Sequence, residues 1–169
     1  LHTLVKRVFF RRWTRMAWRR ADVVVTPSAA TTEEVTRFLG LPRAKIQVAH
    51  LGVDTTRFHE PSADELKAFR DEIDLSPDAS WFAFLGTIEP RKNVVTLLDA
   101  YREVRKELGP SSPMLLISGG RGWDKAAILR LNALSADPGA RELGYLPMKE
   151  LPSLLGGAVA VIYPSVGEG

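Results

Sequence analysis

The 169-residue sequence contains no cysteine. That excludes a disulfide scaffold, a thiolate metal site and a cysteine nucleophile, and it fits a reducing compartment, hence a bacterial-type cytoplasmic location. Histidine is scarce: His2, His50 and His59 stand apart, with no H-E-x-x-H spacing, so no metal site is expected. No apolar run reaches the roughly 18 residues that a membrane-spanning helix needs, and no segment has the layout of a signal peptide. The phosphate loop G-x-x-x-x-G-K-[ST] is missing. The dinucleotide pattern G-x-G-x-x-G fails after Gly120 and Gly122, because Lys125 stands where its third glycine belongs. A P-loop NTPase and a nicotinamide dehydrogenase are therefore disfavoured. Ser28 and Ser165 each follow a proline, but neither lies in a G-x-S-x-G elbow.

What is present begins with charge. The net charge is +3, yet Lys6, Arg7, Arg11, Arg12, Arg15, Arg19 and Arg20 crowd the first twenty residues without one acid among them. Val5, Phe9, Trp13, Met16 and Ala17 fall on the other side of the same helical repeat, which predicts an amphipathic basic helix over residues 3–20. Two readings stay open: the apolar stripe packs on a sheet, or the helix lies on an anionic membrane surface, which would make the protein peripheral on the inner face of the plasma membrane. The interleaved aromatics form no stacking platform, so nucleic acid is not an expected partner.

Beyond it, Ala21–Ser28 reads as a strand ended by Pro27. Ser28 or Thr31 can cap a following helix that Gly40 terminates. Residues 45–49 read as a second strand, 50–62 as a linker and 64–73 as a polar helix. From Trp81 strands and helices alternate: strand 81–86, helix 93–108, strand 113–118, helix 123–135, a strand near 141–145, helix 148–156 and strand 158–163. Such alternation implies βαβ units around a parallel sheet. On the helix from 93, Val94, Leu97, Leu98, Tyr101, Val104 and Leu108 share the face expected to be core. The start at Leu1 and the last strand with no helix after it predict an excerpt of a longer chain.

Two turns draw chemical interest. Thr87–Asn93 places Arg91 and Lys92 at the start of a helix, where the dipole disfavours cations; an anion there would account for them, since backbone N–H groups and two cationic side chains would converge on a phosphate. Ser118–Asp124 is glycine-rich and suits the close approach of a ligand or of another backbone. The terminal run Ala158–Gly169 breaks at Pro164 and brings Glu168 to a strand's carboxyl end, where open α/β sheets hold ligands.

Taken in order, Thr26-Pro-Ser28, Lys45–Asp54, Gly86-Thr-Ile-Glu-Pro-Arg-Lys-Asn93, Gly119-Gly-Arg-Gly-Trp123, Leu143-Gly-Tyr-Leu-Pro147 and Tyr163-Pro-Ser-Val-Gly-Glu-Gly169 resemble the retaining GT-B glycosyltransferases of family GT4, the glycosyl transferases group 1. The E-P-R-K-N form resembles the mannosyltransferase-type branch. The resemblance implies an α/β fold of GT-B type, with two Rossmann-like domains of parallel sheets flanked by helices, the second incomplete. Residues 1–50 would end an acceptor-side domain, 51–80 would be linker and lead-in helix, and 81–169 would be the first half of a donor-binding domain.

By position, Lys92 matches the family's diphosphate-binding lysine. Its partner arginine usually follows the glycine directly, where this chain has Thr87 after Gly86, which leaves two alternatives: Arg91 substitutes for it, or that contact is lost. Glu168 matches the first glutamate of the E-x7-E motif, which contacts the donor sugar. The backbone at Tyr145 and Leu146 matches the loop against the base, and Gly119 and Gly120 belong to the second glycine turn. The implied activity is hexosyl transfer from a nucleotide-diphosphate sugar, GDP-mannose first and a UDP-sugar second, to a glycan or lipid-linked acceptor, with no cofactor and no metal; no D-x-D motif occurs. The expected excerpt would bind donor weakly and transfer nothing. The alternatives are a non-catalytic sugar-nucleotide or phosphate-binding module, and a membrane-surface protein led by its basic helix.

Overall fold

The computed structural model describes residues 4–134 and 137–168, with side chains from residue 8 onward. His2, Gly169, residue 135 at the end of an expected helix, and the side chains of Val5, Lys6 and Arg7 lie outside that description. The chain forms two compact units, Leu1–Val53 and Asp54–Glu168.

The first unit is a helix followed by a single βαβ turn of chain: α1 (Leu4–Arg20), β1 (Val24–Thr26), α2 (Ala29–Leu39) and β2 (Ile46–Val48). β1 and β2 pair in parallel from Val24↔Ile46 to Thr26↔Val48. β1 is shorter than the strand expected over 21–28, because β2 offers only three residues to pair and Pro27 cannot extend the ladder. Ser28 is the cap of α2: its Oγ accepts the Thr31 N–H at 3.0 Å. Gly40 closes the helix at φ 72°, a left-handed conformation suited to glycine. Inside the turn, the buried Thr26 and Thr32 hydroxyls satisfy each other at 2.7 Å.

The second unit starts with α3 (Ala63–Glu72), held at its head by a capping box between Ser62 and Glu65. β3 (Trp81–Leu85), α4 (Val94–Leu108), β4 (Met114–Ser118), α5 (Lys125–Leu134), β5 (Ala140–Gly144), α6 (Leu151–Gly156) and β6 (Ala160–Val161) follow. The four strands form one parallel sheet in the order β5-β4-β3-β6. Side chains alternate across it. Phe84, Leu115 and Ile117 join α4 and α5 in one core, while Trp81, Ala83 and Leu116 join Phe69 of α3 and Leu154 of α6 in the other. Trp81 buries its ring completely and donates its indole N–H to the Leu154 carbonyl at 2.9 Å.

Three expectations shift. The last strand, expected over 158–163, is a ladder of only Ala160 and Val161 against Phe82 and Ala83, flanked by single bonds from Val159 and Ile162 before Pro164 ends it. The helix expected over 148–156 opens with a 3₁₀ turn, Met148–Glu150. Leu108 is half exposed rather than core, because it occupies the last residue of α4, before the chain leaves through Gly109.

Chain order sets a switch point. From β3 the chain steps to β4 and β5 on one side, then returns to place β6 on the other, so the turns after β3 and β6 diverge at adjacent strand ends. The turns after β3, β4 and β5 are fixed to one another by backbone contact. Gly86 N–H donates to Ser118 carbonyl at 2.9 Å, Ile88 N–H to Gly120 carbonyl at 3.0 Å, and Gly119 N–H to Gly144 carbonyl at 2.7 Å. Gly119 has φ 129°, and a methyl group on it would lie 2.3 Å from the Gly86 oxygen.

Gly119→Ala should therefore cost about 2–4 kcal/mol, combining overpacking with strain at positive φ. Gly120→Ala, whose nearest neighbours belong to the exposed Tyr145 side chain rather than to backbone, should cost less. Urea unfolding of both variants checks the order, and equal stabilities would refute it.

Candidate functional site: a cation pair and a carboxylate at the switch point

Two turns build the site. After β3, Glu89 leads into the 3₁₀ turn Pro90–Lys92, and Asn93, at φ 52° and ψ 38°, redirects the chain into α4. This corrects the expected placement: Arg91 and Lys92 precede α4 in a turn of their own. Pro90, with its fixed φ, starts that turn, and the left-handed Asn93 separates it from the helix. The N–H groups of Lys92 and Asn93 are spent on the Glu89 and Pro90 carbonyls, and the positive charge of the turn lies on the side chains of Arg91 and Lys92.

Those side chains converge on Glu168. Lys92 Nζ lies 2.6 Å from Glu168 Oε1. Arg91 Nη1 pairs with Glu168 Oε2 and also reaches the Gly167 carbonyl at 3.2 Å. The other arm of the guanidinium, Nη2, donates to Glu89 Oε1 at 2.6 Å. Lys92 is mostly enclosed, its side chain 16% exposed, with its ammonium 5.7 Å from the Tyr163 ring centre and its stem beside Gly86. Arg91 and Glu168 are about half exposed.

The electrostatics follow from this packing. Lys92 above all, together with Arg91, holds the Glu168 carboxyl at about 2, against an ordinary 4.5. Glu168 and then Glu89 push the Arg91 guanidinium further up. Burial, with Glu168 beside it, raises the Tyr163 phenol. Sequence reasoning assigns Glu89, Tyr163 and Ser165 no part in this site. Glu89 stands inside the E-P-R-K-N run, and Tyr163 and Ser165 inside the Tyr163–Gly169 run, signals that could have found them.

The remaining expected residues take other places. Thr87 turns its methyl group toward Gly122, whose added Cβ would meet it at 2.8 Å, so it adds nothing to the cation pair. Gly119 serves backbone contact. Gly120 lies under Tyr145, where a methyl would come 2.6 Å from the hydroxyl oxygen. Tyr145 is 81% exposed, while the partly buried Leu146 side chain packs against the α3/α6 core. Arg121, in the second glycine turn, forks onto Glu142 with contacts of 2.6–3.0 Å and ties that turn to β5. Tyr145, the glycine turn, Gly86 and the Arg91–Lys92–Glu168 cluster thus follow one another along the carboxyl ends of β5, β4, β3 and β6.

An open parallel α/β sheet with cations and a carboxylate at its switch point defines a class of proteins that hold anionic ligands at strand ends. More narrowly, the chain belongs to the glycosyl transferases group 1 family, whose model matches residues 67–169, while residues 1–57 match the glycosyltransferase family 4 model. It is 31% identical over 150 residues to the O-antigen chain mannosyltransferase B of Escherichia coli, covering 88% of this chain and 39% of that protein. It is 29% identical over 153 residues to the D-inositol 3-phosphate glycosyltransferase of Nocardia farcinica, covering 88% of this chain and 33% of that one. The chain thus spans well under half the length of these relatives. Among solved structures, HepE of Anabaena, crystallised with UDP and glucose, superposes with a TM-score of 0.75 at 17% identity, over 99% of this chain and 45% of its own. The fold is accordingly the GT-B type.

Glu168 should titrate at about 2 by carbon-detected NMR, and Lys92→Ala should return it toward 4.5. Because its folded value is depressed, the pairing contributes stability at any pH above 4.5 and loses it as pH falls toward 2. An unshifted carboxyl would contradict the cluster.

Proposed function

We propose that this chain carries donor-site residues of a retaining glycosyltransferase that moves a hexose, mannose first, from a nucleotide-diphosphate sugar to a glycan or lipid-linked acceptor. The observation that carries this reading is the meeting of Lys92, Arg91 and Glu168 between β3 and β6. Family membership and the likeness to a mannosyltransferase support it. The activity is assigned to the whole protein, of which relatives are more than twice as long.

Size agrees. Neighbouring strands lie about 4.8 Å apart, so the three steps from β5 to β6 span roughly 14 Å, enough for a base, a diphosphate and a sugar laid across the strand ends. In this arrangement the base lies against the backbone at Tyr145 and Leu146, the diphosphate reaches Lys92 and Arg91 beside Gly86, and Glu168 meets the sugar. Arg91 takes the charge role left open by Thr87. Breaking the sugar–phosphate bond leaves a nucleoside diphosphate, and the two cations stabilise the charge that develops on it. Glu168 then exchanges its cation contacts for a sugar hydroxyl when the diphosphate arrives. GDP-mannose is the first donor considered and a UDP-sugar the second; HepE was crystallised with UDP.

One observation favours a lipid-linked acceptor. Along α1, Val8, Phe9, Phe10 and Trp13 are all more than half exposed, beside Arg11, Arg12 and Arg19. Such a face suits an anionic bilayer, with aromatics at the headgroup level and arginines on the phosphates. No helix among the described residues is long and apolar enough to cross a membrane.

Calorimetric titration with GDP and UDP tests the donor site. Lys92→Ala should weaken diphosphate binding by about 1.5–3 kcal/mol, the scale of a charge-assisted hydrogen bond; unchanged affinity would remove the lysine from the site. For α1, the double change Arg11→Glu/Arg15→Glu should abolish sedimentation with phosphatidylserine-containing vesicles at low salt. Retained sedimentation would detach the helix from that role.

A further inference from the structure

The turn that carries Glu168 has little packing of its own: Val166, Gly167 and Glu168 are all exposed. Its anchors come from the neighbouring turn. Val166 N–H donates to the Arg91 carbonyl at 3.0 Å. Asn93 Nδ2 donates to the Pro164 carbonyl at 3.2 Å. These two bonds bracket Ser165 and originate either side of Lys92.

Asn93 is suited to this by conformation and by chemistry. Its φ of 52° is a left-handed setting that asparagine visits more readily than other residues with a side chain. Its Oδ1 accepts the Thr96 hydroxyl at 2.8 Å, and that bond leaves the Nδ2 end of the amide facing Pro164. Glycine would meet the backbone requirement at no steric cost but could not donate to Pro164. Aspartate would keep the shape but, when ionised, has no proton to offer.

We infer that Asn93 is a positioning residue: its side-chain amide hangs the Pro164–Glu168 turn from the Arg91–Asn93 turn, and so sets where the Glu168 carboxylate stands relative to Lys92 and Arg91. Its catalytic meaning rests on the donor-site reading above; the positioning itself does not. With the amide gone, the Pro164 carbonyl loses its donor, the turn is left to the Val166 N–H and the Arg91 contact with the Gly167 carbonyl, and Glu168 spends part of its time away from the cations.

The decisive variant is Asn93→Gly in the 169-residue chain, read by NMR titration of Glu168 with thermal unfolding alongside. The Glu168 carboxyl should rise from about 2 toward 4.5 while the chain stays folded, since glycine accepts the left-handed backbone. Thr96→Val, which frees the amide to rotate without touching the backbone, should shift Glu168 the same way by less. An unmoved Glu168 in folded Asn93→Gly, or in Thr96→Val should the glycine variant not fold, would overturn the inference. In the full-length enzyme, Asn93→Gly should lower kcat about tenfold and leave the donor KM within about threefold, because Lys92 still binds while Glu168 is misplaced. Failure of GDP and UDP to bind wild-type protein would sink the donor-site reading, and the Glu168 titration would still decide whether Asn93 positions the carboxylate.

Discussion

The contact between the Gly86 carbonyl and the Cα of Gly119 is the constraint on which the site depends. Backbones approach this closely only where one partner has no side chain, and the approach lets β3, β4 and β5 end in turns bonded to one another: Gly86 to Ser118, Ile88 to Gly120, Gly119 to Gly144. A ligand-binding edge assembled from loops would normally be its most mobile part. Here the edge is an extension of the sheet's own bonding, and the turn bearing Lys92 leaves from a fixed point.

From that point the chemistry is a matter of charge balance. Arg91 and Lys92 are met by Glu89 and Glu168, so the cluster is compensated as it stands. Exposed ion pairs contribute little to stability. Their value lies in geometry: Glu89 fixes one arm of the guanidinium and leaves the other toward Glu168, while the Tyr163 ring and Gly86 hold the lysine stem so that its ammonium emerges at one place. Thr87 turns its methyl group to Gly122, and the second cation of the cluster is Arg91.

Much of this was legible in the amino-acid sequence, for identifiable reasons. Strands and helices after Trp81 could be placed because two-sided burial produces apolar runs, as in Met114–Ser118, and helices show one apolar face, as in Val94–Tyr101. Ends were less legible. The last strand contracts to Ala160–Val161 because ladder bonds, unlike hydrophobicity, require a partner alongside. The 3₁₀ turn at Pro90–Lys92 was hidden because a helix start and a tight turn share the same proline signal. Ligand approach and backbone approach both call for glycine, so only coordinates could assign Gly119 and Gly122 to the latter. Lys92 and Glu168 could be given roles from motif position; Asn93 stands in the same run as Lys92, but its role was hidden because its bond to Pro164 joins residues 71 positions apart.

The pairing of Glu168 with both cations also bears on selectivity against the small ions of the cell. A tethered carboxylate acts as a competitor at an effective concentration in the millimolar range. Chloride, with the same single charge as Glu168 and no further contact to make, gains little by evicting it. On the donor-site reading proposed above, a ligand that brings further contacts along the strand ends shifts the exchange in its favour, and the resting cluster then acts as an ionic filter against simple anions.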